Sequence, residues 1–397
     1  MKLFWTCVGF IVYTYAGYPA LLALLAKLRP RPLRQDSHTP AITLLIAAYN
    51  EEACLAAKLE NSLALDYPAE RLQILVAADG SSDGTTAIAG QFAGLGVELS
   101  YRPERQGKMA AINRAMRLAR GDIVVFSDAN NLYDAHALRE LARPFADPTV
   151  GAVSGAKSII AGDGALGDSE GLYWRYESFI KKQETQLGTC TGVSGEILAI
   201  RRNLFSAPPA NIINDDFYIA LHLIRQGYRV IYAPAARSLE RVSPSAGDEI
   251  TRRTRIIRGR YQAIALARTL LPWRQPLVVW QVVSHKFARP LIPLAMVGAL
   301  LANGLALLRS SGGWRLAPAA LLLQFLFYGL AWLGNHTQIQ GKPGKLLYIP
   351  TFLVNSNLAA GRGLLQALAG REGVLWQRVE RRHVPPLTPG ADVQENF

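Results

Sequence analysis

The residues of this 397-residue chain that could do chemistry stand immediately after short apolar runs. Asp128-Ala129-Asn130 follows Ile123-Val124-Val125-Phe126-Ser127 and sets a carboxylate and an amide oxygen one residue apart. Two oxygen ligands completed by substrate phosphates are a common way to hold Mg²⁺ or Mn²⁺. Because Asn130 is neutral, the pair binds a cation more weakly than two carboxylates would. Asp79 ends another apolar run and opens Asp79-Gly80-Ser81-Ser82-Asp83-Gly84-Thr85. Turn chemistry accounts for the glycines, and Ser82 or Asp83 can cap a helix, but neither accounts for Asp79. Ala47-Ala48-Tyr49-Asn50-Glu51-Glu52 offers an aromatic face suited to a nucleobase, although Asn50 as a helix cap with Glu51 and Glu52 in the first turn explains it equally well. Asn214-Asp215-Asp216 opens a helical pattern, where acids are also favoured by the helix dipole alone.

Other chemistries are excluded. Cys7, Cys54 and Cys190 are odd in number and scattered, which gives neither a disulfide framework nor a metal pattern. No histidine stands three or four residues from another His or Cys, as zinc ligands on one helix would. No G-x-G-x-x-G follows the first apolar run, so nicotinamide chemistry is disfavoured.

The elements that must position these residues alternate. Ile42 to Ala48, Leu72 to Ala78, Ile123 to Ser127 and Val150 to Ser154 read as strands, while Ala53 to Ala64, Thr85 to Gln91 and Lys108 to Arg120 read as helices. Gly121 is expected to end the last of these as a C-cap. The alternation predicts an α/β fold with a doubly wound, mostly parallel sheet, and such sheets bind ligands beyond the carboxyl ends of their strands.

Leu3 to Ala26 is long enough to cross a bilayer and is followed by Lys27, Arg29, Arg31 and Arg34, against Lys2 in front. This reads as an anchor with its N-terminus outside; a cleaved signal peptide would have a shorter apolar stretch and its stronger basic flank in front. Two further strong apolar segments, Pro290 to Leu308 and Leu316 to Gly334, precede a weaker one, Leu346 to Leu368, interrupted by Asn355-Ser356-Asn357. A third span there would leave the tail outside, against the cytoplasmic preference of Arg371, Arg378, Arg381 and Arg382, so a re-entrant or interfacial placement stands as the alternative to a third span. The domain plan is therefore an anchor over 1–28, a catalytic domain over 41–265, a basic interfacial segment over 266–289, a membrane region over 290–370 and a tail over 371–397. The net charge of +13 concentrates beside the spans, and no acid occurs between Glu249 and Glu372. A basic belt so placed suits a membrane surface or a diphosphate, and it lacks any nucleic-acid-binding motif.

Taken in order, Ala48-Tyr49-Asn50-Glu51-Glu52, Ala78-Asp79-Gly80-Ser81-Ser82-Asp83-Gly84-Thr85, Gly107-Lys108-Met109-Ala110-Ala111-Ile112-Asn113, Phe126-Ser127-Asp128-Ala129-Asn130, Ser194-Gly195-Glu196 with Arg201-Arg202, Asp215-Asp216 and Arg252-Arg253-Thr254-Arg255 resemble the family-2 processive glycosyltransferases. The likeness is to their bacterial branch near poly-N-acetylglucosamine, hyaluronan and cellulose synthases. It covers Ala41 to Gln262.

The resemblance implies a GT-A fold and a metal-dependent, inverting hexosyl transfer from a UDP-sugar onto a glycan. By its motifs Ala47, Tyr49, Glu51 and Asp79 meet the uracil and ribose, and Lys108 falls on the lysine of the G-K-x-x-A-x-N segment. Asp128 falls on the first metal-binding aspartate, with Asn130 in place of the second. Asp216 falls on the general base beside Asp215, and Arg252 and Arg255 lie by the diphosphate and acceptor. Two departures stand out. The D-x-D is D-x-N, and the Q-x-x-R-W motif reads Arg252-Arg253-Thr254-Arg255-Ile256, without its tryptophan. Implied partners are the UDP-sugar, a glycan or lipid-linked acceptor, membrane lipid and secretion-complex subunits. The implied location is the bacterial inner membrane, multi-pass, with a cytoplasmic catalytic domain. Single-sugar transfer to a lipid carrier is the alternative, and a noncatalytic sugar-nucleotide-binding subunit the distant one.

Overall fold

The computed structural model describes residues 2–34, 36, 39–159, 164–240, 246–308, 317–336 and 342–369. The chain forms two compact units, one of Arg31–Pro244 and one of Met1–Pro30 with Ser245–Glu372. The tail over 371–397 lies outside the described residues.

The first unit is built on an eight-stranded sheet of β1 (Ile42–Ala48), β2 (Leu72–Asp79), β3 (Val97–Arg102), β4 (Ile123–Asp128), β5 (Leu132–Tyr133), β6 (Val150–Ile159), β7 (Leu198–Arg201) and β8 (Arg229–Glu240), ordered β3-β2-β1-β4-β7-β6-β8-β5. Every residue of β1 is buried, as expected for a strand covered on both faces, and this is why it reads as an unbroken apolar run. The half β3-β2-β1-β4 is wholly parallel. Beyond it the sheet is mixed: β7 runs antiparallel to both β4 and β6, while β6 and β8 are parallel. The α/β class is as expected; the strand reading lacked β3, β5, β7 and β8, of which β7 and β5 supply the antiparallel pairings.

The register aligns the carboxyl ends of the central strands. Ala47 stands opposite Ala77 on one side and Asp128 on the other, so the residues following β1, β2 and β4 emerge together at one rim.

The helix expected over Lys108 to Arg120 ends at Met116. Two buried polar side chains turn the chain early. Gln73 Nε2 donates to Leu118 O (3.0 Å) and its Oε1 accepts Arg120 N–H (2.8 Å), while Thr43 Oγ1 accepts Gly121 N–H (2.9 Å). Gly121 is thus a packing glycine rather than a C-cap. A Cβ there would meet Thr43 N, lie 2.6 Å from the Ile42 carbonyl carbon and 2.8 Å from Ile123 O.

In the second unit three of the described helices are long and apolar enough to cross a membrane: Lys2–Leu28, Pro276–Leu308 and Ala317–His336. Their large side chains Leu301, Leu322 and Phe325 are more than half exposed, a surface suited to lipid rather than water. Lys2–Leu28 and Pro276–Leu308 each contain a π-helical turn, Tyr13–Gly17 and Val283–Phe287, and the two turns meet where Tyr13 Oη lies 2.7 Å from Ser284 Oγ. The helix Lys342–Leu368 covers the weaker apolar segment and packs on Ala246–Ala265, with a Cβ on Gly363 falling 3.0 Å from Ile257. Arg252 and Arg255 belong to Ala246–Ala265, so the arginine cluster groups with the apolar helices.

Gly121→Ala in the full chain is expected to cost about 1–3 kcal/mol by overpacking and to lower the melting temperature by at least about 2 °C. Gly90→Ala, on a helix with nothing near its Cβ, should leave it unchanged or slightly higher; equal melting of the two variants in detergent refutes the packing role of Gly121.

Candidate active site

Two loops at the carboxyl rim are laced together by short side chains. Asn50 adopts a left-handed conformation (φ 53°), and its Oδ1 accepts Ser82 N–H at 2.9 Å. Its role is therefore to join the loop after β1 to the loop after β2. Glu51, the N-cap residue of the following helix Glu52–Leu63, makes no capping bond with its own side chain. Asp83 does the capping work instead, accepting Thr85 N–H at 3.0 Å through Oδ1 and Glu52 N–H at 3.1 Å through Oδ2.

Asp79 is 4% exposed. Its Oδ1 accepts Gln106 N–H (3.0 Å) and its Oδ2 accepts Gly107 N–H (2.7 Å). Gly80, at φ 63°, lets the backbone of Arg105 approach, since a Cβ would stand 2.6 Å from Arg105 N. These contacts deliver two cations. The Arg105 guanidinium lies 3.9 Å from the Tyr49 ring centre, and Lys108 Nζ lies 2.6 Å from Asp128 Oδ1. Together they outline a shallow cleft in which the small side chains of Ala47, Ala48, Ala77 and Ala111 stand beside Tyr49, Asp79, Arg105 and Lys108. Small side chains bounded by one aromatic and two cations suit a flat, polar, anionic ligand.

Asp128 and Asn130 flank buried Ala129 and are themselves half-buried. Among the described residues there is no cluster of three or more His, Cys, Asp or Glu. An all-oxygen pair of this kind fits a hard cation that takes its other ligands from phosphate and water, and does not fit zinc.

Behind this rim lies Lys58, fully buried, its Nζ donating to Asn131 Oδ1 at 3.1 Å and standing 4.0 Å from the centre of the Tyr133 ring. Burial drives its pKa from the ordinary 10.5 down to about 7, against the opposing pull of Asp128. Asp216 lies in the first turn of Asp215–Arg225, where its Oδ1 accepts Phe217 N–H at 2.7 Å. Gly195 passes close to it: a Cβ at 195 would lie 3.2 Å from Asp216 Cβ and 3.5 Å from Oδ2.

The structure therefore brings Ala47, Tyr49, Asp79 and Lys108 into one cleft and ties Asp128 to it through Lys108. Glu51 is placed differently: 5% exposed, it accepts Cys54 Sγ–H at 3.1 Å through Oε2, while its N–H donates to Thr85 Oγ1. Asp215 and Asp216 open the helix Asp215–Arg225, with Asp216 beside Gly195, and Arg252 and Arg255 belong to the helical unit. Sequence reasoning missed Arg105, Lys58 and Asn131. The only local sign of Lys58 is a lysine on the same helical face as Leu55, Leu59 and Ser62.

The family model for glycosyltransferase like family 2 matches residues 40–260. The chain belongs to this family. A poly-beta-1,6-N-acetyl-D-glucosamine synthase of Staphylococcus aureus is 28% identical over 247 residues, 60% of this chain and 59% of that protein. An N-acetylglucosaminyltransferase of a Rhizobium species is 24% identical over 315 residues, 74% of this chain and 69% of the relative. Among solved structures, a mannosyltransferase of Pyrobaculum calidifontis in complex with GDP-Man and Mn²⁺ superposes with a TM-score of 0.70 at 26% identity, covering 93% of this chain and all of that one. The eight-stranded sheet is thus the GT-A sheet of a family-2 glycosyltransferase.

The buried lysine of this family-2 member carries a pH signature. Between about pH 7 and 10.5 the unfolded chain holds a Lys58 proton that the folded chain has released, so this group's contribution to stability rises with pH across that window and is lost as pH falls through 7. The melting temperature of wild type minus that of Lys58→Met should therefore climb from pH 7 to pH 10; a flat difference refutes the assignment.

Proposed function

We propose that this chain is a membrane-embedded, inverting glycosyltransferase that transfers a hexosyl unit from a UDP-sugar to extend a polysaccharide. The observation that carries the reading is the single cleft at the carboxyl ends of β1, β2 and β4, where Tyr49 offers a ring, Asp79 fixes the loop bearing Arg105, and Lys108 meets Asp128. Ala47, Tyr49 and Asp79 receive the nucleoside in this scheme, and Lys108 the diphosphate; Glu51 acts from behind through the loop it anchors. Asp128 and Asn130 would hold Mg²⁺ or Mn²⁺, and the bound cation would offset negative charge on the diphosphate.

Asp216 is the proposed base. It removes the proton of the acceptor hydroxyl, whose oxygen attacks C1 as the bond from C1 to the diphosphate oxygen breaks on the opposite face. Asp215, Arg252 and Arg255 are assigned to the acceptor and the departing diphosphate, where cationic side chains offset the charge that develops. The relatives named for poly-β-1,6-linked N-acetylglucosamine favour a UDP-N-acetylhexosamine donor and a polymer. The chain spans 59% of the length of those relatives, so donor, acceptor and any secretion subunits are inferred from the shared region. The basic flank Lys27 and Arg29 after the first span supports a bacterial inner-membrane protein with its sheet unit in the cytoplasm.

A second reading, one sugar added to a lipid carrier, is favoured by Ile256 where the acceptor motif of polymerising relatives has tryptophan. Membranes bearing the full chain, incubated with labelled UDP-N-acetylglucosamine, UDP-glucose and GDP-mannose and either metal, distinguish the two by product size. Asp216→Asn is expected to lower transfer by about 10²–10⁴-fold, the usual contribution of a general base, while leaving UDP affinity within about twofold, as loss of a group acting only in the transition state requires. Asp128→Asn should instead weaken metal-dependent UDP binding. Wild-type turnover by Asp216→Asn would remove the base assignment.

A further inference from the structure

Asn131, the residue after the D-x-N, is wholly buried, and its amide makes four hydrogen bonds, as many as a primary amide can make. Its Oδ1 accepts Lys58 Nζ–H and Ser127 Oγ–H, both at 3.1 Å. Its Nδ2 donates to Ser238 Oγ at 2.7 Å and to Glu196 O at 3.0 Å. The four partners come from the helix Glu52–Leu63, from β4, from β8 and from the turn Gly195–Ile197. Two residues further on, the buried Tyr133 hydroxyl donates to the same Glu196 carbonyl at 2.7 Å.

That turn is also the one that Asp216 rests on, because Gly195 brings bare backbone against the Asp216 side chain. One segment, Asp128 to Tyr133, thus carries the two candidate metal ligands at its start and grips the support of the candidate base further along. Packing alone does not call for an amide here. A buried polar group costs stability unless every bond is made, and a fully satisfied network fixes position.

We propose that Asn131 is a positioning residue: it sets the spacing between the metal-binding loop and Asp216, so that diphosphate and base are held in one geometry. The proposal rests on the reading of Asp128, Asn130 and Asp216 given above. It distinguishes the two halves of the amide, since the acceptor half anchors the loop to Lys58 and Ser127 and the donor half carries the coupling to Glu196 O.

Asn131→Asp in the full chain separates those halves: it keeps an acceptor for Lys58 and Ser127 and removes both N–H donors. Mn²⁺ titrations of UDP binding by calorimetry, which need no turnover, are run beside steady-state kinetics and thermal melts. The half-saturating Mn²⁺ concentration is expected to rise, and kcat to fall, by about 10–100-fold, the usual range for residues that orient metal ligands, with donor KM at saturating metal nearly unchanged. Tyr133→Phe, which removes the other donor to Glu196 O, should show a smaller loss of the same kind and be non-additive with Asn131→Asp. A lowered melting temperature with wild-type Mn²⁺ dependence and kcat, or tighter Mn²⁺ binding, overturns the proposal. If Asn131→Asp does not fold, Tyr133→Phe alone decides, and wild-type Mn²⁺ dependence and kcat in that variant overturn it equally. Should Asp216→Asn prove fully active, the base assignment fails separately, and the Mn²⁺ titration still reports on Asn131.

Discussion

The geometry of the cleft depends on one carboxylate. Asp79 spends both oxygens on backbone N–H groups of Gln106 and Gly107, and charge-assisted bonds of this kind are about twice as strong as neutral ones. The segment they pin has no other regular structure: it runs from the end of β3 to the first residue of the helix Lys108–Met116. Arg105 reaches Tyr49 and Lys108 reaches Asp128 only because that segment is drawn down onto β2. Gly80 makes the approach sterically feasible, so an acid and a glycine adjacent in sequence act as one device.

What could be read from the sequence follows from how local each signal is. β1, β2 and β4 were legible because strands covered on both faces are continuous apolar runs with a polar residue at the exit. The four residues of β7 and two of β5 carry no periodicity, and their pairing is decided by β4, β6 and β8. The helix after Gly107 was extended too far for a related reason. Leu118 and Ala119 continue its apolar pattern, but Gln73 and Thr43, distant in sequence, capture the backbone first.

The same distinction holds at the site. Asp79 and Asp128 stood out by their position after a strand, and the structure gives both side chains a place at the rim. Lys58, Asn131 and Arg105 gave little sign because each acts across a long gap in the chain: Lys58 bonds a residue 73 positions away, and Asn131 one 107 positions away. Glu51, in a motif that reads as nucleotide-binding, spends its carboxylate in part on the neighbouring Cys54. A motif locates a residue on the rim without telling which way its side chain turns.

The contact between Arg105 and Tyr49 has a thermodynamic consequence. One face of the aromatic ring is already covered by a guanidinium, at 3.9 Å. A flat ligand that takes this face exchanges one stacking partner for another, and the free energy gained is the difference between two contacts rather than the whole of one. Exchange of that kind weakens every candidate by a similar amount. Groups that stack no better than a guanidinium gain nothing there, so the ring contributes more to selectivity than to affinity.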